Sequence, residues 1–320
     1  MYGSDFRPSA ALETQRMRME ILRKLRAFFT ELGFLEVETP ILSADTVVDR
    51  NLDPMSLVLH GKRYFLQTSP EFAMKRLVAA WNVPIWQVCK VFRQDELGTL
   101  HNPEFTMLEY YRPGDDLQGG MDLLDQIQQL VLQRGRARRL TYTEAFQQVL
   151  GLDPLNAPFS ELVDTAQKRH IVVPEGFPTD DFAGGRDEWL DLLLSETIQP
   201  TLGIESPVIL YDYPASQAAL AVARGNVAER FELYADGIEL ANGYHELCDA
   251  HELRRRNRTA NALRRLDGKD VLPDKSRLLD AMDAGLPPCA GTAIGLDRLV
   301  MIALGKQSLD DVLLFPFGIA

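Results

Sequence analysis

The chain has 320 residues, 46% hydrophobic and 25% charged, which is ordinary globular material able to bury a full core in one large domain or two modest ones. Its 46 acidic residues against 34 basic ones leave a net charge of −12, which weighs against a surface that grips a nucleic-acid backbone over a wide area. Three scattered cysteines, Cys89, Cys248 and Cys289, form no CxxC pair, so a disulfide framework and a cysteine zinc site are set aside and a reducing compartment is expected.

The opening MYGSDFRPSAALETQRMRME has no apolar stretch behind a basic start, and no run of about 18 apolar residues follows anywhere. The expectation is a cytoplasmic protein that does not span a membrane. Leu22, Leu25, Phe29 and Leu32 recur at helical spacing among charged residues, and Gly33 follows as a stop, so residues 12–32 read as a long amphipathic helix whose stripe must be covered. Phe34 to Pro40 alternates Leu35 and Val37 against Glu36 and Glu38, a half-buried strand that Pro40 ends. The runs IWQVCKVFR and FTMLEYY flank a polar loop holding Gly98 and Asn102-Pro103, which predicts a long-looped antiparallel hairpin.

Residues 121–200 look mostly helical, with Leu124, Ile127 and Val131 on one face and a second amphipathic run from Trp189 to Leu194. Val208 to Tyr213 reads as a strand, and FELYADGIELANGYHEL as a hairpin turning on Asp236-Gly237. An Arg-rich helix over 250–268 precedes the strand GTAIG and the helix DRLVMIALG. With no repeat and no linker, the simplest account is one α+β domain over residues 1–320, a mainly antiparallel sheet flanked by helices with a helical insertion at about 115–205.

Period two puts Phe105, Met107, Glu109 and Tyr111 on one face of the second hairpin strand, an aromatic plate and an acid on one surface. Arg93 stands at the mouth of a loop that adds Asp95, Glu96, His101, Asn102 and Glu104, more polar groups than a connection needs. The Asp-Gly turn pairs Tyr234 with Glu239 and sets Glu232 diagonal to Glu239 on one face. Their mutual repulsion is relieved either by a bound cation such as Mg²⁺ or by solvent on an outer face. Asn242, Tyr244 and Glu246 fall opposite Glu239 unless Gly243 marks a bulge, and the spacing leaves both open. Arg298 lies in the first turn of the last helix, where the macrodipole disfavours a cation unless an anionic ligand is present. Beside it Asp297 reads as a helix cap, while Gly291 and Gly295 mark close packing or a site. There is no GxxxxGK[ST], no GxGxxG opening a helix and no HExxH, and the five histidines lack metal-ligand spacing.

In this order, GFLEVETP, FRQDELGTLHNPEFTMLEYY and GTAIGLDR resemble motifs 1, 2 and 3 of class II aminoacyl-tRNA synthetases, most closely the lysyl-tRNA synthetase group. TSPEFAMKRL at 68–77 and ELANGYHEL at 239–247 resemble lysine-site segments. The motif 1 helix starts almost at the first residue, where lysyl-tRNA synthetases carry an anticodon-binding OB domain, so a missing tRNA-reading module is expected. That, with TSPE, the HEL after ANGY and Ala293 where those synthetases usually have glycine, resembles the elongation factor P lysine ligase family.

The resemblance implies a class II catalytic domain that uses ATP and Mg²⁺ to adenylate (R)-β-lysine, with α-lysine a poorer substrate, and passes it to a lysine of elongation factor P. It places Arg93 on the substrate carboxylate and α-phosphate, Phe105 and Arg298 on opposite faces of adenine, and His101 and Asn102 near the phosphates. Gln94, Asp95, Leu240 and Gly295 complete the ATP site, Asp95 being one methylene shorter than the family's usual glutamate. Glu232 and Glu239 would hold Mg²⁺. Ser69, Pro70, Glu71, Glu109, Tyr111, Asn242, Tyr244, Glu246 and Ala293 would surround the amino acid. The motif 1 helix and strand resemble a homodimer interface, so the open stripe is expected to pack on a two-fold mate, with burial inside the chain the plainer possibility. Leu100, in place of a basic residue, weighs against tRNA. A truncated lysyl-tRNA synthetase and a non-catalytic paralogue are the competing readings. Arginine clusters at 134–139 and 254–258 could dock an acidic protein or an RNA, or be solvated helix faces.

Overall fold

The structure, a computed structural model, describes residues 6–94 and 96–320. Helix α1 (Leu12–Glu31) buries Thr14, Arg18, Ile21, Leu25 and Phe29, each three or four residues from the last. Its buried face is therefore rotated from the predicted stripe: Leu25 and Phe29 are inside, but Leu32 caps the helix and is 41% exposed. Gly33, at φ +76°, lets Phe34 N–H reach Phe29 O at 2.9 Å and Gly33 N–H reach Thr30 O at 3.0 Å, a Schellman ending. This termination turns the Phe34 ring inward against Phe29 and Tyr110.

Strand β1 is only Leu35–Glu36, and the buried side chains around it are Phe34 and Val37, not Leu35 and Val37 as alternation predicts. Next come β2 (Leu42–Ser43), β3 (Ser56–Leu59) and β4 (Lys62–Leu66), a small sheet of order β2-β4-β3. Helix α2 (Glu71–Trp81) precedes the predicted long-looped hairpin, β5 (Ile85–Phe92) and β6 (Glu104–Pro113), in register from Ile85 opposite Tyr111 to Phe92 opposite Glu104. Phe29 stacks on Trp86 of β5 with centroids 4.5 Å apart. Leu25 and Phe29 of the expected stripe are thus covered by the chain's own sheet, while Leu32 stays exposed.

Helix α3 (Leu117–Leu132) packs on that sheet, and β7 (Arg138–Thr141) adds a strand to a stretch that reads as helical. Helices α4 (Tyr142–Leu150), α5 (Phe159–Lys168) and α6 (Gly185–Leu193) gather around Tyr142, Phe146, Trp189 and Leu190 in a separate apolar cluster. Strand β8 (Val208–Pro214) pairs with β7 in parallel and carries Leu210 and Tyr213 into the same cluster. Strand β9 (Ala223–Arg224) flanks the hairpin of β10 (Val227–Ala235) and β11 (Ile238–His245), whose turn holds Asp236 and Gly237 at φ +53° and +74°. The Arg-rich helix α7 (Ala250–Leu266) and α8 (Arg277–Gly285) lead to β12 (Cys289–Gly295) and α9 (Leu296–Ala303).

The main sheet runs β1-β5-β6-β12-β11-β10-β8-β7, with β9 on β10. Among the described residues only its two edge pairings, β1 with β5 and β7 with β8, are parallel, which agrees with the mainly antiparallel expectation. Both arginine clusters are largely engaged by this chain's own acids: Arg134 forks onto Asp236, Arg139 reaches Asp122, Arg254 pairs with Asp283, and Arg255 and Arg256 share Glu252. Among the described residues no helix is long and apolar enough to cross a membrane.

Candidate active site

Strands β6, β12, β11 and β10 lie side by side, so residues at period two on each project to one face and wall a cavity of about 350 Å³. The loop after β5 and the first turn of α9 close one end, and the segment before α2 closes the other.

At the first end, Arg298 is held by three acceptors: Leu100 O at 3.0 Å, Glu239 O at 3.0 Å and His101 Nε2 at 2.7 Å. These carbonyls offset the unfavourable helix N-terminus, so the guanidinium is fixed before any ligand arrives. Burial, and then the Arg298 charge, hold His101 below its usual value, which leaves a neutral imidazole to accept that bond. Arg93 stands 5.2 Å from the Phe105 ring centroid, and its contacts to Thr68 O and Glu96 are long, both 3.4 Å. It is the looser of the two cations. Asn102 lines the cavity, but its amide donates to Glu104 O and accepts from Phe317 N–H at 2.9 Å, so its side chain staples the loop to the C-terminal segment.

Asp297 is not a cap. Gly295 occupies the N-cap position, and the buried Asp297 carboxylate accepts Thr106 N–H at 2.6 Å and pairs with Arg18 of α1 at 2.7 Å. Two residues into the helix, its side chain points back at the sheet.

The acidic pair sits on the inner face, so the solvated outer face is excluded: Glu232 is 4% exposed. Tyr234 faces Glu239 as predicted, but the register then shifts and Glu232 faces Asn242, leaving Leu240 as the extra residue of a bulge. The bulge at Leu240, not Gly243, brings Asn242, Tyr244 and Glu246 round to the Glu239 face, where all line the cavity. Glu232 accepts from Tyr213 and Tyr234 hydroxyls, both at 2.5 Å, and pairs with Arg230. Glu239 is pushed up to about 7 by burial and by the charge of Glu232.

At the second end, Glu109 accepts from Ser69 Oγ at 2.7 Å and from Tyr111 OH at 2.6 Å. Burial, then the Glu71 charge, raise it to about 7 despite both donors. Glu71 and Glu246 each lie 2.5 Å from the Lys75 ammonium. Burial raises Glu246 against the pull of Lys75. Lys75 is also raised, because its carboxylates outweigh its own burial. Gly291 makes this crowding possible: a Cβ there would lie 2.3 Å from both Glu246 Oε1 and the Tyr111 ring.

The cavity therefore unites Ser69, Glu71, Arg93, His101, Asn102, Phe105, Glu109, Tyr111, Glu232, Glu239, Leu240, Asn242, Tyr244, Glu246, Ala293, Gly295 and Arg298. Gln94 is exposed away from its wall, Pro70 serves as the N-cap of α2, and Asp95 lies outside the described residues. Arg18, Lys75 and Arg230 are absent from the sequence reading. Only the i,i+4 spacing of Glu71 and Lys75 signals any of them.

A central antiparallel sheet with an arginine at the head of a long-looped hairpin, and a second where the last strand enters the last helix, defines a class II aminoacyl-tRNA synthetase catalytic domain. The family model for class II tRNA synthetases (D, K and N) matches residues 4–318. The elongation factor P–(R)-β-lysine ligase of Vibrio cholerae is 46% identical across 99% of both chains. Those of Pseudoalteromonas translucida and Salmonella paratyphi B are 44% identical across 96% and 97% of both chains. The chain belongs to this family of class II synthetase-like ligases and is an ATP-dependent amino-acid ligase.

Proposed function

We propose that the chain activates (R)-β-lysine as its adenylate and passes it to the ε-amino group of a lysine on elongation factor P in the cytoplasm. The observation that carries this is one cavity with two arginines, Arg298 and Arg93, at one end and three buried carboxylates, Glu71, Glu109 and Glu246, at the other. A diamino acid supplies two ammonium groups to the acids and a carboxylate to the arginine end. The ligase names of relatives at 44–46% identity support the acceptor.

Phe105 and Arg298 take opposite faces of adenine, with Leu240 and Gly295 beside it and Gln94 and Asp95 nearby in the loop. Arg93 bridges the substrate carboxylate and the α-phosphate, and His101 and Asn102 lie toward the phosphates. Ser69, Pro70, Tyr111, Asn242 and Tyr244 shape the amino-acid end around the three acids. Glu232 and Glu239 would hold Mg²⁺: both are hard oxygen donors on one wall, and Glu239 is raised to about 7 by burial and then by the charge of Glu232. When bound, the ion supplies charge neutralisation on the phosphates.

A substrate carboxylate oxygen bonds to the α-phosphorus, and the bond to the bridging oxygen breaks, releasing pyrophosphate. The acceptor amine then attacks the mixed anhydride, loses a proton and expels AMP. No protein nucleophile is needed; Arg298 fixes the nucleotide and Arg93 holds the carboxylate in line and meets the charge on the α-phosphate oxygens. Ala293, facing Glu109 across β12 and β6, adds a methyl group that favours a β- over an α-amino acid. Exposed Leu12, Met17, Met19 and Leu35 support a homodimer built on α1 and β1. Net charge and Leu100 support a protein acceptor over tRNA.

The test offers ATP, Mg²⁺ and either lysine isomer with elongation factor P or bulk tRNA, and reads intact mass and acid-stable label. Mass gain on elongation factor P, larger with (R)-β-lysine, is expected. Labelled tRNA would make this a minimal tRNA synthetase, and no adenylate at all would make it a binding paralogue.

A further inference from the structure

One strong cation at the amino-acid end is neither solvated nor on the cavity wall. Lys75 is 1% exposed, lies behind Glu71 and Glu246, and touches both carboxylates at 2.5 Å. Its ammonium is 5.9 Å from the Tyr111 ring centroid, and Tyr111 itself donates to Glu109. Lys75 thus meets all three acids of the pocket, two directly and one through Tyr111.

We propose that Lys75 is a resident counter-ion of the amino-acid pocket, a positioning residue that fixes Glu71 and Glu246 and leaves the pocket two negative charges from neutrality, the charge of a diamino acid's two ammonium groups. This rests on the function proposed above and deepens it. Three ionised carboxylates with no resident cation would retain protons, since like charges this close do not all ionise in a buried site. With Lys75 present, one acid equivalent is neutralised permanently, and the two others, held up by burial, ionise against the ligand's two ammonium groups. A lysine at this position is better suited than an arginine, because a compact ammonium can sit between two carboxylates that approach from different elements, α2 and the end of β11.

The groups around Lys75 settle which way pH acts. Glu71 comes from its own helix, Glu109 and Tyr111 from β6, Glu246 from beyond β11, and the Cys248 and Cys289 thiols complete its surroundings. Burial raises both thiols, and Glu246 raises them further, so they stay neutral. Lys75 keeps its proton, so pH works on the acids. Removing its charge moves their protonation to higher pH, so the variant's deficit is largest where the wild-type acids are ionised and its own are not, and narrows once both sets are ionised.

Lys75→Met and wild type are compared by ATP–pyrophosphate exchange with (R)-β-lysine and α-lysine from about pH 6.5 to 9.5. The expected result is a lysine KM raised about tenfold or more near pH 7.5, narrowing toward wild type above about pH 9, with the ATP KM within about twofold throughout. A lysine KM unchanged, or raised by one factor at every pH as lost packing would give, overturns the proposal. Wild type that activates neither lysine isomer refutes the function itself, a distinct outcome. Should Lys75→Met not fold, Lys75→Ala is melted with and without ethylammonium. A rise in melting temperature with ethylammonium and none with propanol supports the counter-ion, and equal responses reject it.

Discussion

The two ends of the cavity solve opposite electrostatic problems. At the nucleotide end, Arg298 and Arg93 are only part-buried and are held by neutral acceptors, backbone carbonyls and the His101 ring, with Glu96 a long contact. Their charge is permanent and left free for an anion. At the amino-acid end, acids are packed together out of water, and their ionisation depends on what sits beside them: Glu109 rises to about 7, whereas Lys75 stays charged. Preorganisation is thus rigid at one end and conditional at the other.

The largest expected break in that contrast is Arg298→Ala. It removes a prefixed cation aimed at the nucleotide, and pyrophosphate exchange should fall by about 10²–10³-fold, the scale for loss of one preorganised electrostatic group. A loss of under about tenfold would make the nucleotide end less rigid in function than in geometry. Smaller is Ala293→Gly, on the boundary between the ends. Preference for (R)-β-lysine over α-lysine, measured as a ratio of kcat/KM values, should shift toward α-lysine by about tenfold, within the 1–3 kcal/mol of a methyl-sized change.

The smallest effect sharpens the conditional end. Glu109 and Glu239 are raised in the folded state from 4.5 to about 7, so their contribution to stability is full below about pH 4.5 and is lost as pH rises through about 7. Ligand-free wild type should therefore lose more melting temperature between about pH 6 and pH 8.5 than Glu109→Gln does, by about 2 °C. Parallel profiles would show that Glu109 ionises in the folded protein as it does in water.

What could be read from sequence divides along the same line. The hairpins, the order of the three motif segments and the cavity-facing parity of Phe105, Glu109 and Tyr111 follow from local periodicity and turn chemistry, and the structure agrees. The rotated face of α1 was hidden because its buried face includes Thr14 and Arg18, which look solvated in any hydrophobic pattern. Arg18 is drawn inside by Asp297, far away in the chain. Lys75 was missed for the same reason, since Glu246 reaches it from far along the chain, whereas Arg230 pairs with Glu232 two residues away on its own strand, a spacing that reads as one face of any strand. The bulge escaped because Leu240 looks like any strand leucine, whereas Gly243 advertises itself. Gly243 instead gives room to the Phe231 ring, 2.3 Å from where a Cβ would stand.

The single surplus residue at Leu240 makes the site depend on a bulged register. Were the full-length strand to pair without the bulge, Leu240 would face Leu233 and Ala241 would face Glu232, and everything from Ala241 to His245 would change face. Asn242 and Tyr244 would leave the cavity and the chain would still find a sheet. For this hairpin, register is as much a part of the binding code as side-chain identity.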